Sequence, residues 1–363
     1  MNTGPTAEGP GTGINSGKSR GFRIADVAFS TNEACPSFMT ANINPKFDIE
    51  HNLSRMEEIA QAAHEKQVDI LILPELAVSG YVWDNDDRGE VLEHLKASDN
   101  RRTQVKRVLD RIKAGLVDSC RGLKAVFFGN VRDNRRGSLH DTVFIMTATA
   151  DYNTVFYDKI FLTPLEKLYF KRGSDQRLVL DTRWGRIGVM ICYDMCFVGL
   201  GKRYAFNDEV DLIITAAAWR TEAYREYPLL NLKLDNYYQF IWNLMHSALA
   251  AHNQIWSIGA NCVGAFEKTG GLFCGQSGIW SPSGIPLVQA SHDREELLIL
   301  RNVEIRGHMR HQAKEDFDYS LDFDEVYREI KDLKPRHVSL HSAAEWARHC
   351  SRTSHIPAED YIE

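Results

Sequence analysis

The chain has 363 residues, with 43 Lys plus Arg against 49 Asp plus Glu, a formal charge of −6, and 44% hydrophobic and 25% charged residues. These are globular proportions, and the length suits one large α/β domain or two modest ones. The mild acidity gives no reason to expect nucleic acid or an anionic membrane as a partner, and no stretch approaches the roughly 18 consecutive apolar residues of a membrane span.

Residues 1–20 are rich in Gly, Thr and Ser and lack the apolar run of a secretory signal, so they read as a flexible tail. The ordered chain begins at Gly21, with a strand over 22–29. A helix follows over 50–66, its Leu53, Met56, Ile59, Ala60 and Ala63 at helical spacing on one face. Residues 68–74 are a short, Ile- and Leu-rich run ending at Pro74, the pattern of a strand buried on both faces. A helix is predicted over 103–120, then strands over 125–129, 141–147, 155–157, 186–192 and 211–216. A long helix over 229–252 carries Leu234, Tyr237, Tyr238, Ile241, Met245, Ala248 and Leu249 on its apolar face, and strands follow over 255–260, 278–281, 287–290 and 297–303. Strands outnumber helices between 124 and 186, which disfavours a doubly wound sheet and favours two packed sheets with helices on their outer faces. Beyond 306 the chain turns polar and charged; a helix over 323–332, stopped by Pro335, belongs to an extension outside the core.

The seven cysteines, Cys35, Cys120, Cys192, Cys196, Cys262, Cys274 and Cys350, are odd in number and scattered, which reads as reduced thiols in a cytoplasmic protein. Cys192 and Cys196 have no second Cys pair beside them, and His308 and His311 have no acidic or thiol partner at ligand spacing, so neither group reads as a metal site.

The chemistry gathers where strands stop. Glu75 follows the strand 68–74, Lys159 follows 155–158, and Cys192 ends 186–192. Ligands bind at the carboxyl ends of strands in α/β proteins, and loops there bring distant residues together. A carboxylate can take the thiol proton, an ammonium favours the thiolate, and the same ammonium can stabilise an oxyanion. Residue types alone leave the plainer alternative of a small buried Cys and two solvated charges.

The words around these residues resemble a known family. Leu73-Pro-Glu-Leu-Ala-Val-Ser-Gly-Tyr81, Tyr157-Asp-Lys-Ile-Phe-Leu162 and Gly188-Val-Met-Ile-Cys-Tyr-Asp194 resemble, in order and separation, the three signatures of the nitrilase (carbon–nitrogen hydrolase) superfamily. Weaker likenesses lie at 211–219, 250–264 and 273–284. The resemblance implies a four-layer αββα sandwich over residues 21–305, with 306–363 as a polar extension available for an oligomer contact. It implies Glu75 as general base, Lys159 as oxyanion stabiliser and Cys192 as nucleophile, and it makes Glu166 a second glutamate beside the triad. Tyr81, Tyr193 and Trp219 are the implied substrate-binding residues. Tyr193-Asp194 is what amidases and carbamoyl amidases carry after the Cys, where nitrilases carry Trp-Glu. Val198-Gly199 replaces the Pro-Glu of many amide-cleaving members, which points to an atypical substrate. The implied activity is hydrolysis of an amide or N-carbamoyl C–N bond through a thioester, without metal or organic cofactor, in a homodimer or larger assembly. Acyl transfer to an amine, nitrile hydrolysis and a silent binding protein are the alternatives.

Overall fold

The computed structural model describes residues 15–19, 21–81, 87–117, 122–134, 136–174, 176–265, 270–321 and 323. In chain order its elements are β1 (Asn15–Ser19), β2 (Phe22–Ala28), β3 (Phe38–Asn42), α1 (Ile49–Glu65), β4 (Ile70–Ile72), α2 (Arg88–Ala97), α3 (Thr103–Ala114), β5 (Ala125–Asp133), β6 (Leu139–Thr147), β7 (Phe156–Asp158), β8 (Val179–Thr182) and β9 (Gly185–Ile191). They continue with α4 (Val198–Lys202), β10 (Leu212–Ala217), β11 (Arg225–Tyr227), β12 (Leu232–Leu234), α5 (Tyr237–Asn253), β13 (Trp256–Asn261), β14 (Val263–Ala265), β15 (Leu272–Cys274), β16 (Gly278–Trp280), β17 (Pro286–Gln289), β18 (Glu296–Arg301) and α6 (His308–Glu315).

Two mixed sheets carry the fold, ordered β1-β2-β18-β3-β4-β5-β6-β7 and β17-β16-β13-β10-β9-β8. Successive side chains of a strand face opposite sides, so an unbroken apolar strand feeds two cores at once. Phe38, Ile70, Ile72, Phe127 and Leu298 face the core shared with Ile187, Val189, Ile214 and Ile258 of the second sheet. Their neighbours Met39, Leu71, Val126, Phe128 and Ile299 face the other way, onto Leu53, Met56 and Ile59 of α1 and Val105 and Leu109 of α3. Leu200 of α4 and Trp242 and Leu249 of α5 pack on the second sheet. The result is the expected αββα sandwich. The sheets are also stitched: the Thr40 hydroxyl donates to the Gly259 carbonyl at 2.9 Å.

α1 forms where its spacing predicts, and Asp48 caps it by accepting the His51 N–H at 3.0 Å. α5 differs from expectation. It starts at Tyr237, because Pro228 opens a tight turn, Asn231 is left-handed (φ 49°), and β11 and β12 pair as a hairpin where a helix was predicted. Its buried stripe is Trp242, His246, Leu249, Ala250 and Asn253, rotated from the expected face; Ile241 and Met245 lie at its edge and Tyr238 outside. Asn15–Ser19, read as tail, pairs antiparallel with β2.

The first compact unit runs to Ser320, and a second begins at Leu321. Residues 306–320, read as extension, are tied to the first. Arg306 donates to the buried Asp211 carboxylate at 2.8 Å, Arg310 pairs with the same group, and Gln254 donates to the carbonyl of Phe317 at 2.6 Å. The helix expected over 323–332, Cys120 and Cys350 lie outside the described residues. Among the described residues no helix is long and apolar enough to cross a membrane.

Candidate active site

Three strand ends of two sheets meet at one buried cluster. Glu75 sits in the turn after β4, which lies against β5: Leu73 N–H donates to the Phe127 carbonyl at 2.8 Å and Gly129 N–H to the Pro74 carbonyl at 3.2 Å. Lys159 follows β7 directly, and its N–H donates to the Asp141 carbonyl of β6 at 2.9 Å. Cys192 follows β9 and opens a 3₁₀ turn with φ 45°, a left-handed conformation that costs a non-glycine residue free energy. Glu166 opens a short 3₁₀ turn, Glu166–Leu168. All four side chains are buried.

Lys159 is the hub. Its Nζ donates to Glu75 Oε1 at 2.5 Å and Glu166 Oε1 at 2.7 Å, and stands 3.6 Å from Asp141 Oδ2. The outer oxygens are held by backbone: Glu75 Oε2 accepts the Ala218 N–H at 2.7 Å, and Glu166 Oε2 the Thr163 N–H at 2.9 Å. Oxygens of Glu75, Asp141 and Glu166 lie within 4.8 Å of one another, a grouping that would also suit a metal ion; the cation standing among them is the Lys159 ammonium.

Burial by itself would lower the Lys159 ammonium, yet Glu166 and Glu75 hold it well above the ordinary lysine range, so it is a fixed positive charge. Cys192 goes the other way from expectation. Burial and the Glu75 charge push its thiol well above the usual range and outweigh the opposing pull of Lys159. It therefore rests as a thiol.

Asp194, two residues past Cys192, fastens the two sheets' loops together. Its Oδ2 accepts the Tyr157 hydroxyl at 2.8 Å and the Ile191 N–H at 3.1 Å, and its Oδ1 the Phe161 N–H at 2.8 Å. Tyr157 and Phe161 flank Lys159, so the bonds fix the lysine segment against the Cys192 turn.

The expected substrate residues divide. Tyr81 joins the cluster, its hydroxyl donating to Glu166 Oε1 at 3.3 Å. The Tyr193 ring packs edge-on to Phe197 at 5.2 Å, and Phe197 stacks on Phe161 at 3.6 Å. Trp219 is built into the wall: its indole N–H donates to the Tyr238 carbonyl at 2.8 Å and its ring lies 5.8 Å from that of Trp242. Sequence reading missed Asp141, the Ala218 N–H and the Asp194 clamp. Only Asp194 had a signal, its place in Cys192-Tyr-Asp194.

A family model described as carbon-nitrogen hydrolase matches residues 39–303. The chain is 26% identical over 260 residues to a probable nitrilase of Schizosaccharomyces pombe, covering 71% of this chain and 84% of that protein. It is 24% identical over 268 residues to an N-carbamoylputrescine amidase of Solanum lycopersicum, covering 71% and 82%. In fold it is similar to the crystal structure of an amidase from Nesterenkonia sp., with a TM-score of 0.62 at 20% identity over 83% of this chain and 98% of that one.

Proposed function

The chain belongs to the carbon–nitrogen hydrolase family, and from that membership we propose that it cleaves the C–N bond of a small amide or N-carbamoyl compound through a Cys192 thioester. The observation that carries this reading is the buried convergence of Lys159 on Glu75 at 2.5 Å and on Glu166 at 2.7 Å, with Cys192 buried directly after β9.

In the proposed cycle Glu75 takes the Cys192 proton as the sulfur attacks the carbonyl carbon. The Lys159 ammonium and the Tyr193 N–H stabilise the oxyanion. Glu75 gives its proton to the departing ammonia or amine, then activates the water that hydrolyses the thioester. Glu166 holds Lys159, while Tyr81, Tyr193 and Trp219 border the substrate. The step needs the base because Cys192 rests as a thiol. Tyr193-Asp194 after the nucleophile favours amide-type substrates over nitriles, while the relatives include both a probable nitrilase and an N-carbamoylputrescine amidase.

Free thiols at Cys35, Cys192, Cys196, Cys262 and Cys274 suit a cytoplasmic setting. Exposed Leu229, Leu230, Phe240 and Leu244 on the hairpin and α5 suit a homo-oligomer, which light scattering tests.

The deciding experiment is ammonia release over a panel of amides, N-carbamoyl compounds and nitriles, with Cys192→Ala alongside. Release that disappears with Cys192 supports the reading. Release that persists in the variant overturns it.

A further inference from the structure

Asp141 stands among the catalytic groups without a donor of its own. Its side chain is buried, and neither carboxylate oxygen accepts a hydrogen bond among the described residues. The Lys159 ammonium stands 3.6 Å from Oδ2, beyond hydrogen-bond reach. Glu75 and Glu166 are served at both oxygens, by Lys159 and by the Ala218 and Thr163 N–H groups. The remaining neighbours of Asp141 in the cluster are thus carboxylates, with oxygens within 4.8 Å. An ionised carboxylate there would be buried, undonated and beside two like charges. Three ionised carboxylates against one ammonium would also leave the cluster doubly negative. One extra proton removes the undonated charge and halves the excess, and the acid lacking donors is the one to hold it.

We propose that Asp141 is a neutral carboxylic acid that donates a hydrogen bond to Glu75 and so acts as a positioning residue for the general base. The proton stays on Asp141 through the cycle; it is shared in a hydrogen bond and not transferred to substrate. Its donation orients Glu75 and keeps that carboxylate ionised, ready for the Cys192 proton. Burial and the neighbouring Glu75 charge push the Asp141 carboxyl well above the usual range, in the same direction. The groups facing it are Glu75, Lys159 and Glu166. The positioning role rests on Glu75 serving as the base; the protonation state does not.

Two measurements test this. The first is the difference infrared spectrum of the parent against Asp141→Asn, recorded well above the Asp194 value of about 6. The expected result is loss of one carbonyl band of an un-ionised carboxyl group; no lost band overturns the proposal. This readout needs no turnover, so it stands even if the proposed hydrolysis fails. The second is the pH profile of kcat/KM. Asp141→Asn keeps a donor and is expected to leave the acid limb in place. Asp141→Ala removes the donor and is expected to raise that limb by about one pH unit, a roughly tenfold loss on the acid side. Both limbs moving down together would show that Asp141 carries a charge, and neither limb moving would show no coupling to the base; either result overturns the proposal. If Asp141→Ala fails to fold, the infrared comparison still decides.

Discussion

The Tyr157 hydroxyl donates to Asp194 Oδ2 at 2.8 Å across the two sheets. One partner sits two residues before Lys159 and the other two residues after Cys192. Asp194 also accepts the Phe161 and Ile191 N–H groups, so a single carboxylate sets the relative position of the Lys159 and Cys192 segments. The arrangement is a buried hydrogen-bond network, which rigidifies when every member is satisfied.

Asp194 should leave a pH signature. Burial raises its carboxyl from 3.8 to about 6 in the folded chain. A folded-state value above the unfolded one means that stability is fully present below 3.8 and is lost as pH rises through about 6. Over that window the loss is on the order of 3 kcal/mol. Asp194→Asn cannot ionise, but it turns an N–H₂ toward the Ile191 N–H and costs about 1–3 kcal/mol at neutral pH. The stability gap between parent and variant should therefore be wider at acid pH than at neutral pH. Denaturant titrations at both ends of the window check it; a pH-independent gap would remove Asp194 ionisation from the account.

The strand ends that hold Glu75 and Cys192 were legible because β4 and β9 are buried on both faces, which leaves continuous apolar runs. α1 was legible for the opposite reason, a regular one-sided stripe. β3 was not: its Thr40 and Asn42 are polar, and their burial is allowed by distant partners, among them the Gly259, Ser291 and Arg294 carbonyls and Ser277. α2 buries only Val91 and Leu95 fully, with Leu92 partly packed beside them, too thin a stripe to announce a helix. The α5 stripe was misplaced because His246 and Asn253, polar by type, face inward while Tyr238 and Phe240 face outward. Asp141 was invisible for a similar reason. Nothing local distinguishes it from a surface aspartate; its meaning comes from Lys159 and Glu75, which folding brings to it.

Cys192 should behave as a thiol that depends on its base. Cys192→Ala is expected to lower ammonia release by about 10⁴-fold or more, with little change in thermal stability. Because burial and Glu75 push the thiol up, its alkylation by iodoacetamide should be slow at neutral pH and rise with pH. Mass spectrometry of the Cys192 peptide, with the more accessible Cys35 as internal reference, reads the rate. A fast, pH-independent reaction would indicate a standing thiolate and a different division of labour with Glu75.

Lys159 should matter to the fold as well as to the chemistry. Replacing it by Met leaves Glu75 and Glu166 buried without their shared donor. Losing one partner of a buried ion pair costs about 3–5 kcal/mol. Urea midpoints of the parent and of Lys159→Met at neutral pH provide the check. A loss below about 1 kcal/mol would count against this electrostatic account.

Gly129 gives a test that changes no reacting group. It lies on β5 beneath the Glu75 turn, and a Cβ there would stand 2.3 Å from Leu76 N, 2.5 Å from the Pro74 carbonyl oxygen and 2.6 Å from Glu75 Cα. All three atoms are backbone, so no side chain can swing aside; the turn itself has to move. That turn carries Glu75, the proposed base, whose carboxylate meets both Lys159 and the Ala218 N–H. A displacement near 1 Å at a reacting group costs on the order of 10²-fold in rate. Gly129→Ala is therefore expected to lower kcat by about that factor and stability by about 1–3 kcal/mol. Gly115→Ala is the control, since its Cβ would meet the Ile112 carbonyl oxygen at an ordinary 3.4 Å. Equal kcat in both variants would mean that the Glu75 turn tolerates displacement, and that the close approach of β5 is not what places the base.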